Sequence, residues 1–306
     1  MHPFADLIAR QPNTQWTLVG LSPLPEEEWQ RILTFLDFQE SERRAMLATI
    51  ETLFRRGHEL VVDTYAYLTR HPETASILGW EQGADPAHLA ERRRFFSAWL
   101  ARLLGLDLGD DMARYLFHAG KLHAGHGARK SHVPPVFVTG SISLVHAAFA
   151  RFLTQEPETT PVAATALSGW NKLLTAHLHL MQMGFNAAAA LDQGDTALQI
   201  TLFGKLRTVA GLHTLPVRLS ADGSVQEALR KLFDYVPAAR AEIFDLEWRD
   251  GEVVDSTGTP WFHPTPAHRI KPMWRVLLNG RDVSYLGGER TPVRHGDELH
   301  LFPPGR

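Results

Sequence analysis

The sequence predicts two domains, an all-α domain followed by a smaller α+β domain, and three observations carry that prediction. A chain of 306 residues exceeds what one ordinary core needs and suits two. Apolar residues recur at helical spacing up to about residue 190. After Asp192-Gln193-Gly194-Asp195 the pattern changes to the alternation of strands. The boundary is set near residue 195, giving domains over 1–195 and 196–306.

Each helix of the first domain has its own signal. Pro23-Leu24-Pro25-Glu26-Glu27-Glu28 places proline and acids where a positive N-terminal dipole end favours them. Trp29, Ile32, Leu33 and Leu36 follow on one face. A second helix starts near Ser41-Glu42 with Met46, Ile50, Leu53 and Phe54. It runs on, or breaks at Gly57, into Leu60–Leu68, and stops before His71-Pro72. Asp85-Pro86 caps a helix that ends at Leu104-Gly105. Residues 110–124 form another, and a Gly/Lys/His loop leads to Pro134-Pro135. Helices over about 136–154 and 161–190 complete a set of seven or eight.

The second domain opens with strands at Leu198–Phe203 and Leu215–Leu219. Ser224 caps a helix through Phe233, with Val225, Ala228, Leu229 and Leu232 on one face. Strands follow at Arg275–Leu278 and Glu298–Phe302. Strand, strand, helix, strands reads as an α+β roll. The stretch 250–273, rich in Pro, Gly and Thr, reads as an irregular insertion.

Composition excludes several functions. The chain has no cysteine, which removes disulfides, thiolate ligation and iron–sulfur clusters. A formal charge of -3 argues against nucleic acid, and Arg92-Arg93-Arg94 reads as the solvated side of a helix. No window offers ~18 uninterrupted apolar residues, so no membrane span is expected. Met1–Asp6 shows no secretory signal, and a cytoplasmic location follows as the default. No acid/base pair or nucleophile constellation stands out, so an enzyme is not the expectation. Histidine is plentiful, with 16 residues, and is the side chain that ligates metals when neutral.

One segment gathers what a haem site needs: a fixed imidazole, a slot for the porphyrin and apolar walls. It is Leu116-Phe117-His118-Ala119-Gly120-Lys121-Leu122-His123. Gly120 lies one turn before His123 and leaves room for a flat macrocycle; Phe117 and Ala119 keep the surroundings apolar. Alone, a histidine near a helix end is commonly a surface residue. His126 competes for the iron if the helix extends that far. His177 and His179 read as the polar edge of the last helix.

These residues resemble a known family. Ala119-Gly120-Lys121-Leu122-His123, a polar loop 124–132 and Pro134-Pro135 are similar to the proximal motif of the protoglobins and globin-coupled sensors. Thr64-Tyr65-Ala66-Tyr67-Leu68 followed by His71-Pro72-Glu73 resembles their distal helix, with Thr64 where an aromatic residue is usual. The Leu-Pro-Glu-Glu opening near residue 24 and Trp170-Asn171-Lys172 also resemble family patterns. The resemblance covers nearly all of the helical region and implies a globin-like fold binding haem b. It implies His123 as the proximal ligand, Tyr65 as a donor to a bound diatomic gas, and Phe96, then Leu89, packing on the haem. Otherwise Tyr65 is a core tyrosine bonded to a backbone carbonyl, and Phe96, Trp99, Leu89, Leu100 and Leu103 are simply core. Sensors of this family are often dimers, which here implies a face of Leu173, Leu174, His177, Leu180, Met181 and Gly184.

Residues 197–306 resemble the ubiquitin-like β-grasp fold of the molybdopterin synthase small subunit (MoaD) and the related sulfur carrier ThiS. The motifs are Ile200-Thr201-Leu202-Phe203-Gly204-Lys205-Leu206-Arg207, Ser224–Leu229, Leu278-Asn279-Gly280-Arg281 and Thr291–Pro304. Sulfur carriers end in a flexible Gly-Gly that threads a partner's tunnel. The ending Pro303-Pro304-Gly305-Arg306 departs from that pattern, so a docking module for an unknown protein partner is expected. The joint expectation is a haem-based O2, CO or NO sensor or carrier coupled to that module. The alternatives are a haem-free globin-shaped interaction module, or a redox or sulfur-carrier role linked to molybdopterin synthesis.

Overall fold

A computed structural model describes residues 17–254 and 256–304. The expectations resting on Met1–Asp6 and on Gly305-Arg306 lie outside the described residues. The chain divides into two compact units. One is Pro25–Ala188; the other runs from Ala189 onward and takes in the described residues before Pro25.

The first unit has eight α-helices among the described residues: α1 (Pro25–Leu36), α2 (Glu40–Arg55), α3 (Gly57–Arg70), α4 (Pro72–Leu78), α5 (Pro86–Leu104), α6 (Asp110–His123), α7 (Pro135–Gln155) and α8 (Ala163–Leu191). Local chemistry explains the breaks. The chain divides at Arg56-Gly57, and Pro72 starts α4 directly after α3. Asp85 caps α5 by accepting from the His88 amide at 2.7 Å. Trp29, Met46, Leu53, Leu103, Met112, Leu116, Phe149, Phe152, Trp170 and Leu180 fill one core.

Two features of this unit depart from expectation. α7 is long and apolar enough to cross a membrane, by length and composition alone. Of its 21 residues, Val145, Phe149, Phe152 and Leu153 are buried within the unit, so most of its apolar surface is not fully covered by the bundle. The expected dimer face does not exist as a surface. Leu173, Leu174, His177, Leu180, Met181 and Gly184 all face the unit's own interior. Their 3–4 spacing marks a stripe, and the stripe is occupied by the bundle itself.

The second unit carries two sheets. The larger has the order β3-β2-β8-β6-β7, from β2 (Thr196–Leu202), β3 (Thr214–Leu219), β6 (Arg275–Leu278), β7 (Arg281–Asp282) and β8 (Glu298–Phe302). β2 and β8 run parallel at its centre, and the other pairs are antiparallel. Between strands stand the helices α9 (Gly204–Ala210), α10 (Val225–Tyr235) and α11 (Arg240–Ile243). Ser224 caps α10, whose Val225, Ala228, Leu229, Leu232 and Phe233 are buried.

The smaller sheet corrects the irregular insertion. β4 (Phe244–Val254) and β5 (Pro260–Ile270), eleven residues each, form a hairpin in register from Phe244↔Ile270 to Val254↔Pro260. β1 (Thr17–Val19) adds to β5, so the described residues before Pro25 join this unit rather than the helical one. Three prolines in β5 hid the strand, because proline ordinarily breaks a ladder.

Candidate functional site

α6 is built to deliver an imidazole at its end. Asp110 and Asp111 occupy its first turn, Met112, Ala113, Leu116 and Phe117 anchor it, and it stops at His123 with Ala124 as its C-cap. The loop that follows is tied back by the Val133 amide donating to the His123 carbonyl at 2.7 Å. His126 lies in the turn beyond α6, so the condition for its facing the same side as His123 is not met.

The His123 ring is held neutral. Burial lowers its pKa to about 4; the nearby Arg92 charge pushes the same way, and the Ala119 carbonyl one turn back opposes both. Its Nδ1 is buried with no well-formed partner. An Nδ1–H turned toward that carbonyl fixes the tautomer in which Nε2 keeps its lone pair, the form a metal requires. Beside the ring lies a small recess of about 10 Å³, partly open to solvent, lined by His123, Pro135, Val138, Met181, Gln182 and Phe185.

Tyr65 of α3 and Leu89 and Phe96 of α5 do not line that recess; Arg92 of α5 is the residue whose charge reaches both His123 and Tyr65. The Tyr65 hydroxyl donates to the Arg92 carbonyl at 3.0 Å. Burial pushes the Tyr65 phenol up to about 12, so it stays a protonated donor. Phe96 stands edge-on to Tyr65 at 6.2 Å, with Trp80 at 6.3 Å. Leu89 and Phe96 are half-buried against the core. The Arg92 Nε–H points at His88 Nε2 (3.0 Å), while the Trp80 indole N–H points at His88 Nδ1 (3.1 Å). A neutral imidazole accepts at one nitrogen only. The buried Trp80 donor has no water to turn to and takes that bond, which leaves the half-exposed Arg92 side chain weakly held.

Several sequence readings change here. Arg92 is not merely solvated: its charge is felt at His123, Tyr65 and His88. The spacing of Leu89, Arg92, Arg93 and Phe96 could have shown this, since i, i+3, i+4, i+7 is one helix face. Gly120 does not open a porphyrin floor. A Cβ there would overlap the Met181 carbonyl, and one on Gly184 would overlap the Phe117 carbonyl, so this glycine pair lets α6 and α8 touch. Phe117 is buried, with the Lys121 ammonium 5.6 Å from its ring centre. His177 is fully buried rather than at a polar edge. It accepts from the Trp99 indole N–H at 3.2 Å, and its pKa falls to about 3 through burial. His179 is exposed and meets Glu28 at 2.9 Å.

The donor chemistry suits an iron ligand: one neutral imidazole with its Nδ1 buried and mostly apolar walls beside it, while the Tyr65 hydroxyl of α3 is bonded to a backbone carbonyl. The space beside His123 is about 10 Å³, room for one water, far below the roughly 300–1,000 Å³ of typical ligand pockets, so haem would need the lining side chains of α7 and α8 to move apart.

A family model described as Protoglobin matches residues 25–187, the whole helical unit up to the turn before α8 ends. The chain belongs to the protoglobin family. Behind its protoglobin domain, residues 200–305 match the ThiS family. Small archaeal modifier protein 3 of Haloferax volcanii is 32% identical over 110 residues, covering 35% of this chain and 94% of that protein. Small archaeal modifier protein 1 of the same organism is 34% identical over 103 residues, 34% of this chain and 91% of that protein. A crystal structure of the H. volcanii small archaeal modifier protein 1 covers 36% of this chain and all of its own, at 26% identity and a TM-score of 0.26. A protoglobin domain is thus joined to a ubiquitin-like β-grasp domain, the two-part layout the sequence predicts.

Proposed function

We propose that this protoglobin is a haem b protein that binds a diatomic gas and couples its haem state to a protein partner of the β-grasp domain. The observation that carries the reading is His123: a neutral imidazole at the end of a rigid helix, its Nδ1 buried, beside an apolar recess. Haem, when bound, would supply an iron able to take a diatomic gas. The chain's own residues do the rest. His123 would hold the group through Nε2, and Pro135, Val138, Met181 and Phe185 would keep water from it. Phe96 packs beside Tyr65, whose hydroxyl leaves the Arg92 carbonyl to donate to the gas. With no cysteine in the chain, haem is held without thioether bonds.

Titration of the purified chain with haemin tests this by absorption. The wild-type chain develops a Soret band with one equivalent of haemin, and His123→Ala loses stable uptake. A wild-type chain that stays colourless would sink the reading and leave a haem-free interaction module.

The C-terminal relatives favour a second reading of that domain. Both H. volcanii relatives are named as modifier proteins, and this domain would then be a protein modifier or sulfur carrier. Mass spectrometry of the chain isolated from its own cells separates the two: a thiocarboxylate or a conjugate supports the second, and an unmodified, unconjugated chain supports the docking module.

A further inference from the structure

The β4–β5 hairpin has one edge closed and one edge open, and the asymmetry lies in the sequence. The Lys271 amide donates to the Ile243 carbonyl at 2.9 Å. These residues stand opposite each other one step beyond Phe244↔Ile270, so odd-numbered residues of β4 bond to β5. Even-numbered residues of both strands therefore turn their backbone groups away from the hairpin's centre. In β5 those positions include Pro260, Pro264 and Pro266, which have no N–H, and β1 covers residues 267–269. The outer edge of β5 is closed to further pairing. β4 has no proline in its interior, and its even positions from 246 to 254 keep their donors. Among the described residues β5 is its sole strand partner.

The side chains on that edge are those a protein ordinarily hides. Leu246 is 53% exposed, Trp248 65% and Val254 61%; Phe262, across from position 252, is 69% exposed on the same face. An open ladder beside an apolar face is a strand-addition surface.

Charge identifies the added strand. On the opposite face β4 carries Glu247 and Arg249, two residues apart; Glu247 also meets Arg269 at 2.7 Å, and Arg249 donates to the Thr17 hydroxyl. If β4 pairs antiparallel with β4 of a second copy, its even positions must meet even positions. The two-fold axis then passes through one residue from 246 to 250, and centring on 247 or 249 sets Glu247 or Arg249 against its own copy, a like-charge pair. Centring on 246 sets Glu247 against Asp245, a like-charge pair. Centring on 250 sets Glu247 and Arg249 against the uncharged Val253 and Gly251. Centring on Trp248 sets Glu247 against Arg249 of the second copy, twice, at non-hydrogen-bonded positions where cross-strand side chains come closest. The closed β5 edge prevents head-to-tail β4–β5 pairing, so the assembly ends at two copies instead of growing into a fibre.

We infer that two copies of this chain associate through their β4 edges, in antiparallel register centred on Trp248. Sedimentation and light scattering of the full-length chain over 1–100 µM test this, with hydrogen exchange at β4. The expected result is a reversible doubling of mass, with the amides of 246 and 248 losing protection on dilution. Trp248→Pro removes an outward N–H and the central indole while sparing the β4–β5 ladder, and weakens association at least tenfold. Glu247→Arg alone and Arg249→Glu alone each weaken it, and the double exchange restores it, which a merely structural role would not produce. A wild-type monomer at 100 µM overturns the inference, as does an assembly unchanged by Trp248→Pro in a chain with native circular dichroism. So does a double exchange no better than the singles, or a β4 edge that binds another protein's strand while the chain itself stays monomeric.

Discussion

Keeping an imidazole inside a protein keeps it neutral, and His177 shows what that implies for pH. Its folded pKa is about 3, against about 6.5 in an unfolded chain. Below pH 6.5 the unfolded chain therefore takes up a proton that the folded one refuses. Stability is flat above that pH and falls as pH drops from about 6.5 toward 3. For this fully buried group the loss at pH 4.5 is about 2–3 kcal/mol, and His123 adds to it in the same direction. Urea denaturation between pH 7 and 4.5 should show the decline. His177→Gln does not titrate and gives a flatter profile, from a lower start because the Trp99 bond is disturbed. Parallel profiles for the two proteins would refute this. On α3, Tyr65→Phe should spare haem uptake and speed O2 release by roughly tenfold to a hundredfold, the worth of one charge-assisted bond. Flash photolysis reads that rate directly, and an unchanged rate would mean the hydroxyl stays on the Arg92 carbonyl.

Helix α6 is placed by its crossing with α8 at least as much as by its apolar face. Gly120 and Gly184 each lie against the other helix's backbone, which has no side chain to move aside. Gly120→Val or Gly184→Val should cost about 3 kcal/mol and weaken haem uptake in parallel, because His123 is one turn from the crossing. Gly140 on α7 is the contrast: nothing lies near its missing Cβ. Gly140→Ala should stabilise the domain by about 0.5–1 kcal/mol. Thermal melts of the three variants test both signs. This crossing also marks where sequence reading stops. α6, its end at His123, the cap at Asp85 and the strand β2 are local facts, written in spacing and capping residues. That Gly120 faces Met181 rather than a porphyrin is a tertiary fact, because a glycine's emptiness does not say what fills it. Arg92 was hidden by its neighbouring arginines, which made a face that interacts with His88 and Tyr65 look merely solvated. The hairpin was hidden because the prolines of β5 occupy only the positions that need no N–H, a register visible once β4 lies beside it.

Two compact units with separate cores make the molecule two cooperative systems joined through α8. The helical core of Trp29, Met112, Phe149 and Trp170 shares no member with the grasp core of Ile200, Leu229, Phe233 and Leu299. A ligand that binds one folded unit stabilises that unit by mass action, by about 2.7 kcal/mol when its free concentration is a hundred times its Kd. Calorimetry of the whole chain should therefore resolve two transitions, of which haemin raises only the one belonging to Pro25–Ala188. His123→Ala should abolish that rise and leave the other transition untouched. A signal that passes from the haem to the grasp domain in the folded state need not fuse the two transitions, because coupling of 1–3 kcal/mol or so between sites is small beside either unfolding enthalpy. If haemin instead lifts both transitions together, the units unfold as one, and the change at His123 reaches the β-grasp domain through a shared core rather than through two separate ones.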